Sequence, residues 1–86
     1  MHRKWVASPH YRAVIATLRT VRMEAGISQR QMAQRLGKPP SFVNKIELIE
    51  RRIDVLEFIA VAKALGMRPA ALMERLVQAL PETFEI

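Results

Sequence analysis

The stretch 28–48, SQRQMAQRLGKPPSFVNKIEL, breaks into two short amphipathic halves at Gly37. Met32, Leu36, Val43 and Ile46 can share one core only if the chain reverses between Leu36 and Val43. Gly37 follows the last apolar residue of the first half, where a helix ends in the left-handed region and a side chain is costly. Ala33 is small, as close approach of two helices requires. Ser28 is a good N-cap, and Gln31 three positions on completes a capping box. Pro40 stands in the expected first turn of the second half, where its missing N–H costs nothing. These features predict helices over about 28–36 and 40–48 joined by a tight turn. Val43 and Ile46 point inward, and Ser41, Asn44, Lys45 and Leu48 fall on the other side.

The remaining chain extends this helical pattern. At 86 residues it is one small domain. Strand-type alternation is absent, so the chain reads as all-α. Ser8-Pro9 starts a helix that runs to about Ala25, with Val14, Leu18, Val21 and Ala25 as its apolar stripe and Gly26 at its end. Asp54 and Glu57 form a second capping box and open a helix over about 55–65, with Val55, Phe58, Ile59, Ala62 and Leu65 apolar. Pro69 opens the fifth helix, about 69–80, which carries Leu72, Met73, Leu76, Val77 and Leu80 on one broad face before Pro81 stops it. This gives a basic arm over 1–8, a folded domain over 9–80 with its helix pair at 28–48, and a tail over 81–86. Trp5 is expected to pack back on the first long helix. The broad face of the last helix serves as core or buries against a copy of itself, and the second use is favoured. Phe84 and Ile86 point to a tail docked on the body or on a partner subunit.

Charge narrows the function. The net charge is +6, but residues 1–52 carry +8 and residues 53–86 carry −2. One basic half suits contact with a polyanion. His2, Arg3 and Lys4 in the arm can reach a phosphate or a minor groove. With no cysteine, disulfides and thiolate metal sites are excluded, and a reducing cytoplasm fits. No apolar run approaches the roughly 20 residues that span a bilayer, and the N-terminus lacks the apolar core of a secretory signal. Catalysis and a cofactor are not expected. His2 and His10 lie in or beside the arm, and no glycine-rich phosphate loop, metal-ligand cluster or carboxylate pair is visible.

Two short helices about a tight turn form the helix-turn-helix unit, whose second helix enters the DNA major groove. The chain resembles the Cro/repressor-type (xenobiotic-response-element-type, XRE) helix-turn-helix regulators of bacteria and phages. The resemblance is carried by Ser28-Gln29, Met32-Ala33, Leu36-Gly37, Ser41-Phe42-Val43, Lys45-Ile46-Glu47 and Arg51-Arg52-Ile53-Asp54-Val55, and extends from about Leu18 to Leu72. It implies a five-helix, lambda-repressor-like DNA-binding domain. It further implies a cytoplasmic transcriptional regulator that binds a double-stranded operator as a homodimer. The expected base readers are Pro40, Ser41 and Lys45, with Asn44 beside them. Lys can donate to guanine, and Asn can pair bidentately with adenine. Gln29 is expected on the DNA backbone, with Arg30, Lys38, Arg51 and Arg52 as further backbone contacts. The resemblance also implies an ion pair between Arg22 and Glu47 that ties the first helix to the recognition helix, an architectural role. Two alternatives share the scaffold. One is an antitoxin or control-protein variant whose last helix binds a partner protein; the other is a protein-interaction module. The chain departs from the family at Ile49, where glycine is usual. Either the helix exit differs locally, or Ile49 bears strain or meets a partner. Apolar Leu48 and Ile49 fit core packing or a patch for a second subunit.

Overall fold

The computed structural model describes residues 4–84, which form six α-helices and no strand. They are α1 (Lys4–Ala7), α2 (Pro9–Glu24), α3 (Gln29–Leu36), α4 (Pro40–Glu47), α5 (Val55–Ala64) and α6 (Pro69–Gln78). The last five are the helices the sequence predicts, each ending within two residues of expectation where the final turn loosens. The extra helix, α1, lies within the expected arm. It folds back on α2, where Trp5 meets Tyr11 edge-on at 5.3 Å between ring centroids. Arg12 Nε donates to the Val6 carbonyl at 2.9 Å and so takes up a carbonyl of this short helix. His2, Arg3 and Ile86 lie outside the described residues, as does the Lys4 side chain.

Local chemistry sets the helix starts. Ser8 Oγ accepts from the Tyr11 N–H at 3.1 Å. Ser28 with Gln31, and Asp54 with Glu57, form complete capping boxes. Pro9, Pro40 and Pro69 each open a helix where no N–H is needed. Gly37 closes α3 at φ 67°, and its neighbour Lys38 donates to the Ala33 carbonyl at 2.9 Å.

The helices close around one apolar core. Ile15, Leu18 and Val21 of α2 meet Met32 and Ala33 of α3, Val43 and Ile46 of α4, Phe58, Val61 and Ala62 of α5, and Leu72 and Leu76 of α6. Ala33 and Ala62 are fully buried, which lets α3 approach both α4 and α5. Two expected stripes need correction. On α2 the buried row is Ile15, Leu18, Val21 and Arg22, whereas Val14 is half-buried and Ala25 exposed. On α5 Val61 is inside with Phe58 and Ala62, whereas Val55, the first residue of the helix, is exposed. On α6 only Leu72 and Leu76 are buried; Met73 and Val77 are exposed and Leu80 is half-buried. Among the described residues no helix is long and apolar enough to cross a membrane.

Candidate nucleic-acid interface

Helix α4 is held from behind and bare in front. Val43 and Ile46 sink into the core, and Phe42 is half-buried. Pro40, Ser41, Asn44 and Lys45, the four expected base readers, are all exposed. Lys45 pairs with no carboxylate among the described residues. The face therefore offers an ammonium, an amide and a hydroxyl within one turn, a set suited to base edges.

The brace behind this face is the expected Arg22–Glu47 pair. Arg22 Nε and Nη2 donate to the two Glu47 carboxylate oxygens at 2.7 and 3.1 Å. Its Nη1 donates to the Ile27 carbonyl at 2.7 Å. Both side chains are at least nine-tenths buried, so two forked bonds and a carbonyl offset the loss of water. Arg19 stands 3.8 Å away as a longer, exposed partner of Glu47.

Two residues expected on DNA, Gln29 and Asn44, also join this brace. Gln29 Nε2 donates to Glu47 Oε1 at 2.9 Å, and Asn44 Nδ2 donates to Gln29 Oε1 at 3.3 Å. Gln29 and Asn44 are thus brought together across the α3–α4 turn, with Asn44 still exposed. No local spacing announces this chain of amides, since its members lie 15 and 18 residues apart.

The expected backbone cations separate into two kinds. Arg30, Lys38 and Arg52 are exposed. Lys38 Nζ lies 5.5 Å from the Phe42 ring centroid. Arg51 instead forks onto Glu57, with Nη1 at 2.8 Å from Oε1 and Nη2 bonded to Oε2, while Nη1 also reaches the Arg52 carbonyl. Its guanidinium stacks 4.7 Å from the Phe42 centroid. The Arg51 hydrogen bonds hold the Glu57 carboxyl below its ordinary range, and Glu57 in turn raises Arg51. A short-range signal for this pair was present, because Glu57 lies only six residues on. Arg35 is likewise taken up by the fold, donating to the Ala64 carbonyl at the end of α5 at 2.7 Å.

Leu48 is exposed, and Ile49 adopts φ 60° with its side chain half-buried against the core. Of the readings left open for Ile49, backbone strain combined with core packing is the one observed. Glycine is favoured in this region, and a β-branched residue there is strained.

Comparison with known proteins places this geometry. A helix-turn-helix family model matches residues 18–72, well over half of the chain. The chain is similar to an XRE-family like protein from Pseudomonas syringae pv. tomato str. DC3000, at 43% identity and TM-score 0.75, covering 84% of this chain and 88% of that one. The chain belongs to the XRE-type helix-turn-helix family of DNA-binding regulators. Within this family fold it is also similar to the clp gene regulator ClgR from Corynebacterium glutamicum. One ClgR structure aligns at 20% identity and TM-score 0.73, covering 86% of this chain and 96% of that one. A second aligns at 21% identity and TM-score 0.71, covering 81% and 74%. At these identities the ClgR likeness speaks for the fold. No curated protein matches the chain with significance.

Proposed function

We propose that this XRE-type protein reads a double-stranded operator as a homodimer, with α4 in the major groove. The observation that carries the proposal is the two-sidedness of α4. Its rear is fixed by Val43, Ile46 and the buried Glu47, while Pro40, Ser41, Asn44 and Lys45 face outward. A rod fixed in this way meets DNA with little motion left to lose. Lys45 and Asn44 supply base-specific donors, Ser41 a permissive hydroxyl, and Pro40 an apolar contact suited to a thymine methyl. Gln29, Arg30, Lys38 and Arg52 hold the flanking backbone. Arg51, committed to Glu57, shapes the loop that presents Arg52.

Met73, Val77 and Phe84 stay exposed on and beyond α6, which supports an apolar interface with a second copy. The same face would serve a partner protein in the antitoxin or control-protein variant. Selection of bound duplexes from a random-sequence library tests the proposal. It should enrich an inverted repeat with half-sites about one helical turn apart. Enrichment of no sequence would overturn specific reading, and a single unpaired half-site would overturn the dimer.

A further inference from the structure

Two consecutive arginines follow α4, and the fold treats them differently. Arg51 is locked to Glu57. Arg52 is exposed and pairs with no carboxylate among the described residues. Its guanidinium lies 5.4 Å from the Trp5 ring centroid and 5.3 Å from that of Tyr11. These rings meet edge-on at 78°, so they form a corner with two aromatic walls. The corner is itself fixed. The Tyr11 hydroxyl accepts from the Ile53 N–H at 3.4 Å, beside Arg52 in the chain, and Arg12 holds α1 through the Val6 carbonyl. Both rings lie outside the 18–72 stretch that matches the family model.

An aromatic wall attracts a guanidinium through the ring quadrupole. It leaves the in-plane N–H fork unspent, and that fork fits the oxygens of a phosphate. A long, solvated arginine is thereby restricted in direction without losing its charge to a carboxylate. We infer that the Trp5–Tyr11 corner is a positioning element that aims Arg52 at a DNA phosphate, so that α1 belongs to the nucleic-acid interface. This inference rests on the DNA-reading role proposed for α4.

The test is a double-mutant cycle on duplex affinity with the full chain. Arg52→Ala should weaken binding to every sequence about five-fold and make the log–log salt slope shallower by about 0.9 per subunit. Trp5→Ala should weaken binding about three-fold and move the slope the same way, while Trp5→Phe, which keeps a ring face, restores most of the loss. In the Arg52→Ala background, Trp5→Ala should cost nothing further. An equal Trp5→Ala loss in both backgrounds, or none in either, overturns the inference. Trp5 is the sole tryptophan, so its emission reports on the corner even if Trp5→Ala fails to fold. That emission should change on DNA addition to the unmodified protein and hold steady in Arg52→Ala. An emission indifferent to bound DNA also overturns the inference. If the unmodified protein binds no duplex, the α4 reading fails first and carries this one with it.

Discussion

Glu47 accepts from Arg22 and Gln29 at once, so one carboxylate links the core to the exposed side of α4. Removing it strands a buried guanidinium. Glu47→Ala should therefore lower folding stability by about 3–5 kcal/mol, measured by urea unfolding. Replacing both partners, Arg22→Met with Glu47→Leu, should recover much of that loss, since well-packed apolar groups need no counter-charge. A double variant as unstable as Glu47→Ala would show that the pair is not the cause. Ile49 poses a different question, because its contacts and its backbone oppose one another. Half-buried packing favours the side chain, while φ 60° costs a β-branched residue about 1–2 kcal/mol. Ile53 packs on the same core, also half-buried, without a positive φ. Ile49→Gly should thus destabilise less than Ile53→Gly by at least about 1 kcal/mol in the same unfolding assay. Equal losses would mean that the strain is absorbed by the loop.

At the level of the helix, Glu57 performs two tasks: it completes the N-terminal cap of α5 and binds Arg51. Its folded-state pKa lies below the ordinary 4.5, chiefly through the Arg51 hydrogen bonds. A carboxyl lowered on folding adds stability that is fully present above its unfolded pKa and is lost as pH falls through the folded one. The melting-temperature difference between wild type and Glu57→Gln should hold constant above about pH 5 and shrink progressively below the ordinary carboxyl pKa of 4.5. A difference unchanged down to pH 3 would remove the ion pair from the account of α5. On α4, Lys45→Ala should cost about 1–3 kcal/mol on the selected operator and relax one base position, by gel-shift titration. An equal loss on random DNA would make Lys45 a phosphate contact instead. The helices themselves were legible because their signals are local: two capping boxes, three opening prolines and Gly37 act within four residues of the boundary each one sets. The phase of burial was less so. Val14 and Ile15 are equally apolar neighbours, and only the tertiary packing around α2 decides that Ile15 is covered and Val14 half-covered. The cationic half of the surface was legible as a whole, but its division was not. Glu57 stands within reach six residues on, but nothing in the string Arg51-Arg52 tells which arginine takes it and which turns to rings 47 and 41 residues upstream.

At the scale of the whole molecule, the proposed operator reading asks a small domain to meet a long, palindromic target. One subunit offers Arg30, Lys38 and Arg52 as exposed cations for phosphates, with Arg51 withheld by the fold. Two subunits then neutralise six phosphates, and log affinity should fall against log salt with a slope of roughly −5. A slope near half that value would mean that a single subunit binds. The proposed dimer has a candidate surface of its own, because α6 turns Leu72 and Leu76 inward but leaves Met73 46% and Val77 55% exposed. These two lie outside the buried core that defines the subunit, so charging them separates assembly from folding. Met73→Lys with Val77→Glu should leave the melting temperature within a few degrees of wild type at low concentration, where wild type is itself monomeric. In sedimentation at tens of micromolar the variant should remain monomeric while wild type dimerises. Its operator affinity should then drop by one to two orders of magnitude, because the second half-site no longer gains from the effective concentration set by the first. Its affinity for an isolated half-site should stay unchanged, since α4 is untouched. A variant that still dimerises would move the interface off α6, and the exposed Val55 and Leu56 at the start of α5 would be the next surface to charge.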